Sequence, residues 1–287
     1  MDVRLEYIFN SPRRGEWLDD IVSVRKKCDK IQELHLVVSD NINRSNFANF
    51  HIVTLSCLID FAKKNGAIVY LKIEDKNLRG YIFNDVRIRQ YWCEEEDKVF
   101  TEPEPKPFNL WRIDEKYYAN YSMALNQYFE RAYFEGKDLT GLNNCVAELF
   151  QNILDHAQAR GNAFFAISYD NENRQIEIAI CDFGVGIPYT LRHLYSDEKE
   201  ALKRSLIPGV TAKTKIHNMG YGMDNIVSTM APLDIIRIVS NKALLIKSKS
   251  KEYVFSLPYD FRGTLIYFTI STDSFEDKEF LGDLNFG

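Results

Sequence analysis

Three alternating prolines, about one third of the way along the sequence, limit the folds open to this chain. Pro103, Pro105 and Pro107 stand in the run Thr-Glu-Pro-Glu-Pro-Lys-Pro, which follows an acidic cluster. Proline lacks a backbone N–H and is excluded from a helix interior or a central strand. We therefore expect a domain boundary here, with one domain over residues 1–100 and a second over residues 101–287.

The first part of the chain carries the pattern of a strand, a helix and a second strand. Residues 34–38 form a short apolar run typical of a buried strand. Apolar side chains recur at helical spacing over 47–64, and Asn65-Gly66 is a typical helix stop. Residues 67–73 form another apolar run. Because a helix joins the two strands, we expect a parallel βαβ unit.

The second part contains two long helical patterns and a series of strand patterns. Helical patterns cover 117–134 and 140–159, with weaker helical character over 189–206. Strand patterns cover 163–169, 175–181, 235–240, 243–248, 251–257 and 263–270. A turn sequence, Asp-Asn-Glu-Asn, joins the first two of these strands. The chain as a whole is therefore expected to have an α/β fold.

Composition narrows the classes of protein to which the chain can belong. The net charge of −5 argues against a nucleic-acid protein with a global basic field. Five scattered cysteines without a C-x-x-C pair argue against a disulfide framework or a structural zinc site. We expect Cys57, Cys145 and Cys181, which lie in apolar runs, to be buried thiols. No signal-peptide pattern and no apolar run of roughly 20 residues is present, which favours a cytoplasmic protein without membrane attachment.

Polar side chains share one stripe of the helix predicted over 140–159. At about 100° per residue, Glu148, Asn152 and Asp155 lie within about 60° of one another. The rest of the helix is apolar, and asparagine is a mediocre helix former but a good oxygen ligand for a hard cation. Taken alone, such a stripe is more often a solvated polar face.

Two glycine-containing loops and a threonine complete the candidate site. An alternating strand runs into Asp182-Phe-Gly184-Val-Gly186, where glycine permits close approach of a ligand, although a simple tight turn has the same pattern. Gly220-Tyr-Gly222 opens a short helix, whose N–H groups favour phosphate, although an ordinary solvated loop is the alternative. Thr264 begins a late strand, where threonine is usually a β-former.

Together these pieces resemble one family, the GHKL ATPases and kinases, over residues 108–271. Glu148-Leu-Phe-Gln-Asn152 resembles their N box, Asp182-Phe-Gly184-Val-Gly186 their G1 box, and Gly220-Tyr-Gly222 their G2 box. The resemblance implies a Bergerat α/β sandwich, a mixed sheet with helices packed on one face. It also implies an ATP lid around residues 187–219.

The resemblance implies roles for individual residues, with ATP and Mg²⁺ as the cofactors. Asn152 would bind Mg²⁺, Asp182 the adenine amino group, and Glu148 would act as general base toward water. Lys213 and Lys215 are candidate phosphate ligands in the lid. The full implied nucleotide-binding set is Asn152, Asp155, Asp182, Gly184, Gly186, Ile187, Lys213, Lys215, Gly220, Tyr221, Gly222, Met223 and Thr264.

The N-terminal part more loosely resembles a STAS-like α/β domain, the fold of anti-sigma-factor antagonists. This resemblance rests on the order of strands and helix and on pairing with a GHKL module, and no specific motif carries it. By analogy with that system, Ser39, Ser45 or Ser56 is a candidate phospho-acceptor.

The resemblance leaves several functions open. The intact Glu-x-x-x-Asn spacing favours an ATPase that acts as a switch in a regulatory or defence complex, with a protein partner or a homodimer. An anti-sigma-type serine/threonine protein kinase and an ATP-binding module without turnover are the alternatives. A histidine kinase is disfavoured, because none of the five histidines lies on the predicted helix at 117–136.

Overall fold

Two β-sheets, one parallel and one antiparallel, organise the protein. The computed structural model describes residues 4–92, 108–207, 210 and 234–278. Within them, three strands form the parallel sheet and seven form the antiparallel sheet. The predicted α/β class is therefore confirmed at this level. No helix among the described residues is both long enough and apolar enough to cross a membrane.

The parallel sheet contains the predicted βαβ unit and one further strand and helix. Its elements are β1 (Arg4–Phe9), α1 (Arg14–Arg25), β2 (Glu33–Val38), α2 (Asn49–Lys64) and β3 (Ile68–Ile73), followed by the short helix α3 (Lys76–Gly80). The strand order is β1-β2-β3, with both pairs parallel. Helix α2 ends at Lys64 with Asn65 as its C-cap, and Gly66 follows with a φ of +89°, which agrees with the predicted helix stop.

The antiparallel sheet is built from the second part of the chain. Its strands are β4 (Phe108–Arg112), β5 (Ala163–Asp170), β6 (Gln175–Asp182), β7 (Ile236–Ser240), β8 (Ala243–Lys247), β9 (Glu252–Ser256) and β10 (Thr264–Ser271). Their order is β4-β5-β6-β10-β7-β8-β9. Every described pair is antiparallel, so the expectation of a mixed sheet is wrong. Short hairpins join β5 to β6, β7 to β8 and β8 to β9, and such connections permit only antiparallel pairing.

One face of the antiparallel sheet is covered by the helices that follow β4. These helices are α4 (Tyr118–Tyr133) and α5 (Thr140–Asn152), and α5 continues as a π-helical turn, Ile153–Ala157. Two shorter helices follow β6, namely α6 (Ile187–Thr190) and α7 (Glu198–Arg204). Phe129, Leu149 and Phe165 are among the buried side chains of this core.

The opposite face is covered by α2 and the rest of the parallel unit, so the expectation of helices on one face only is also wrong. Phe164, Ala179 and Leu265 point to that face and are fully buried in a core shared with the N-terminal residues. Because both faces of these strands are apolar, each face must be buried against another part of the protein. Asn49 anchors α2 by donating through Nδ2 to the Glu177 carbonyl at 2.8 Å. The division between 1–100 and 101–287 stays a prediction.

Candidate nucleotide site

The polar stripe predicted on α5 is present at the C-terminal end of that helix. Glu148 and Asn152 lie on α5 and Asp155 in the π-helical turn, and all three are half-buried. Burial raises the pKa of Glu148, the nearby charge of Asp155 adds to this effect, and a hydrogen bond with Asn152 opposes it. The three side chains therefore share one surface and interact electrostatically.

The loop after β6 is joined to the end of α5. The Val185 N–H donates to the Ala157 carbonyl at 2.8 Å. A Cβ atom on Gly184 would lie 1.8 Å from the same carbonyl oxygen, so only glycine fits there. The predicted Asp-x-Gly-x-Gly loop thus contacts, through backbone atoms, the helical turn that carries Asp155.

Asp182 is the buried carboxylate of the candidate site. It ends β6, is 2% exposed, and accepts a hydrogen bond at Oδ1 from the Gly184 N–H at 2.8 Å. Thr264 lies opposite it in the β6–β10 pair and hydrogen-bonds to it through both backbone and hydroxyl. Burial raises the pKa of Asp182 to about 7, although the Gly184 N–H and the charge of Arg25 oppose this. Asp182 and Thr264, both members of the implied nucleotide-binding set, are thus in contact.

Ser240 belongs to the site although no sequence motif marks it. Its buried hydroxyl accepts from the Ile187 N–H and donates to the Gly263 carbonyl, both at 2.8 Å. It also lies 3.2 Å from the Thr264 hydroxyl. The sequence marks Ser240 only as a strand end, and pairing between β7 and β10 brings it to Thr264.

Protein contacts account for the glycine at position 186 as well. Gly186 has a φ of +83°, and a Cβ atom on it would lie 2.1 Å from the Asn241 side-chain oxygen. Such a conformation favours glycine, and the space is already filled. The predicted close approach of a nucleotide to Gly184 and Gly186 stays a prediction, because the chain itself explains both glycines.

The remaining predicted ligands fall outside the described residues. They are Lys213, Lys215, Gly220, Tyr221, Gly222 and Met223. The first part of the predicted lid is described and is packed on the sheet. Leu202 of α7 is fully buried, and Glu198 accepts from the Lys242 N–H at 2.9 Å.

An arginine-lined cleft lies beside the same loop. It has a volume of about 590 Å³, and its lining includes Gly184 and Val185 together with Arg25, Arg192 and Arg262. No sequence motif marks these arginines, which come from three separate segments of the chain. Tertiary folding alone brings them to the loop.

The remaining predictions concern the candidate phospho-acceptor serines, the buried cysteines and the metal ligands. Ser39 and Ser56 are buried, whereas Ser45 is exposed, so it is the accessible one of the three candidate phospho-acceptors. The expected buried thiols are confirmed, since all described cysteines are free and buried: Cys28, Cys57, Cys145 and Cys181. Across the described ranges, no group of three or more His, Cys, Asp or Glu side chains suits a metal ion.

No family model matches the chain, and no curated protein matches it. The residues and contacts described above are therefore the basis for inferring a function.

Proposed function

We propose that this chain binds ATP with Mg²⁺ and hydrolyses it, as a nucleotide-controlled switch in a regulatory or defence complex. The observation that carries the proposal is the junction at the end of α5. There the helix that carries Glu148, Asn152 and Asp155 contacts, at its end, the loop that leads from the buried Asp182. One junction thus supports a carboxylate that can act as a base, an amide that can bind a cation, and the buried carboxylate of Asp182.

Asp182 and Thr264 are suited to read an adenine ring. An ionised carboxylate accepts a hydrogen bond from the adenine amino group, and burial strengthens such a bond by excluding water. Because the pKa of Asp182 is about 7, a donor that favours the ionised form would lower this pKa on binding. Binding of adenine is therefore expected to release a proton near neutral pH.

Asn152 suits the other end of the nucleotide. Mg²⁺ is usually held by one or two protein oxygens together with substrate phosphates, so a single amide oxygen is an adequate protein contribution. When bound, Mg²⁺ neutralises phosphate charge. The half-buried position of Asn152 at the end of α5 leaves its amide available in a region of reduced solvent.

Glu148 is the candidate general base. Water attacks the γ-phosphorus, its proton passes to Glu148, and the bond from that phosphorus to the bridging oxygen of ADP breaks. The products are ADP and phosphate. The raised pKa of Glu148 makes its carboxylate a stronger base than an exposed glutamate, which favours this proton transfer.

Replacement of the base tests the hydrolysis step. We expect Glu148→Gln to retain Mg-ATP affinity and to lose about 10²- to 10⁴-fold in kcat, because only proton abstraction is removed. Glu172→Gln, in the exposed β5–β6 turn, is the matched control and should keep full activity. Steady-state phosphate release and equilibrium ATP binding measure the two quantities. Loss of binding in Glu148→Gln would instead mean a structural role.

Replacement of the candidate cation ligand tests the other half of the stripe. We expect Asn152→Ala to abolish the Mg²⁺ dependence of ATP binding, whereas Asn144→Ala, exposed on the same helix, should leave it intact. Titration of ATP with and without Mg²⁺ measures this difference. Unchanged Mg²⁺ dependence in Asn152→Ala would remove the metal assignment.

The fate of the γ-phosphate separates the ATPase from its alternatives. With γ-labelled ATP, free labelled phosphate supports hydrolysis, and label on protein supports a serine/threonine kinase. Binding without either product supports a module that holds ATP without turnover.

A further inference from the structure

Arg25 connects the N-terminal unit to the candidate nucleotide site. It is the last residue of α1, and its side chain reaches two loops of the antiparallel sheet. Nη1 donates to the Phe261 carbonyl at 2.8 Å and also to the Arg262 carbonyl, and Nη2 donates to the Phe183 carbonyl at 3.0 Å. One guanidinium thus holds three backbone carbonyls from two loops.

Two aromatic rings fix the orientation of this guanidinium. Its central carbon lies 4.0 Å from the ring centroid of Phe183 and 5.0 Å from that of Phe61. A planar guanidinium can stack on a ring while its edge donates to carbonyls, which a lysine ammonium does not reproduce. Its contacts therefore depend on shape as well as on charge.

The two loops held by Arg25 are next to Asp182 and Thr264, the residues proposed to recognise adenine. Phe183 directly follows Asp182, while Phe261 and Arg262 closely precede Thr264. The loops also pack without spare room, because a Cβ atom on Gly263 would lie 2.2 Å from the Asp182 carbonyl oxygen. A change in either loop is consequently transmitted to the Asp182–Thr264 pair.

We propose that Arg25 is a positioning residue through which the N-terminal unit sets how strictly Asp182 and Thr264 recognise adenine. The inference rests on the proposed function, because it assumes a nucleotide at that pair. The described hydrogen bonds of Arg25 go to backbone carbonyls and its ring contacts are with Phe61 and Phe183, so it acts on the base through the loops. Hydrogen-bond geometry at a buried carboxylate tolerates little displacement.

Base preference is the readout that separates positioning from general support. Inosine triphosphate keeps the triphosphate and sugar of ATP but replaces the amino group, a donor, with a carbonyl, an acceptor. At pH 8, where Asp182 is mostly ionised, we expect the unaltered chain to prefer ATP over inosine triphosphate by tenfold or more, since a carbonyl facing that carboxylate leaves both groups unpaired. Arg25→Lys should weaken ATP binding about tenfold and leave binding of inosine triphosphate unchanged.

Control variants keep the test decisive. Arg13→Lys, exposed just before α1, should retain the full preference. Phe183→Leu removes the closest stacking ring without altering charge, and should reduce the preference by a smaller factor than Arg25→Lys. It serves as the second variant if Arg25→Lys folds poorly. Thermal unfolding of each variant establishes that the folded protein is being compared.

The outcomes distinguish this inference from the proposed function. An equal loss of affinity for both nucleotides in Arg25→Lys would mean general structural support and overturn the inference alone. Unchanged ATP affinity in that variant would do the same. Absence of ATP binding by the unaltered chain would overturn the proposed function and this inference with it.

Discussion

The two faces of the antiparallel sheet are covered in different ways. Under α2, the buried carboxylate of Asp60 is paired with a cation, accepting from Arg112 at 2.8 Å. Under α5, the like charges of Glu148 and Asp155 lie near each other, and burial raises the pKa of Glu148. Neighbouring like charges cost stability. The first face thus has the features of a structural interface, and the second keeps charges that stability alone does not require.

Removal of the Asp60 charge, on the face covered by α2, is expected to have the largest effect on stability. Asp60 is 2% exposed and pairs with both Arg112 and Lys64 at 2.8 Å. Asp60→Ala should lower the free energy of unfolding by about 2–3 kcal/mol, less than for a fully buried pair because both cations are partly exposed. Urea unfolding measures this. Exposed Asp85→Ala is the control. An equally small loss of unfolding free energy in both variants would show that the pairing of Asp60 does not stabilise the face covered by α2.

A methyl group at the junction of loop and helix should have an intermediate effect. In Gly184→Ala the new Cβ atom would meet the Ala157 carbonyl oxygen, so the loop must move away from α5. We expect a loss of about 1–3 kcal/mol in unfolding free energy, together with weaker ATP binding. Gly80→Ala is the control, because its Cβ atom would meet nothing within 4 Å. Thermal unfolding and ATP titration report the two effects, and full ATP affinity in Gly184→Ala would argue against a functional junction.

The smallest stability effect is expected at Asp182, and it depends on pH. Its pKa is about 7 in the folded chain against 3.8 ordinarily, so between these values the folded state holds a proton that the unfolded state has lost. Stability therefore falls as pH rises from about 4 to 7. Asp182→Asn escapes this loss and should gain about 1–2 kcal/mol over the unaltered chain above pH 7, after allowance for relaxation around the ionised group.

Unfolding measured from pH 5 to pH 8 checks this prediction. The stability difference between Asp182→Asn and the unaltered chain should grow with pH and level off above pH 7. A constant difference would show that Asp182 does not titrate in this range. Asp85→Asn, an exposed replacement, should show no comparable trend.

Local patterns predicted most elements of the fold, because strand and helix periodicity is written in neighbouring residues. The strand at 175–181 and the helix that carries Glu148 are confirmed. The elements β1 and α1 were not predicted, since charged residues interrupt their apolar positions. In β1 the exposed Arg4 and Glu6 alternate with partly buried Leu5 and Tyr7.

Contacts between distant segments account for what the sequence did not predict. The second face of the antiparallel sheet is covered because α2 packs on β5 and β6. No local sequence pattern encodes this packing. Ser240 and Arg25 joined the site for the same reason, because their partners lie on other segments. Asp182 and Thr264 were predicted only through a resemblance, since a strand end followed by glycines is common.

The bond from Arg25 to Phe261 also has a consequence for folding kinetics. Its two residues are 236 positions apart, and Asn49 and Glu177, which anchor α2, are 128 apart. Contacts of such separation require closure of long loops, which slows folding. During synthesis the Arg25 guanidinium cannot form these hydrogen bonds until the loop before β10 has been made. The two loops beside Asp182 are therefore completed only after most of the chain has left the ribosome.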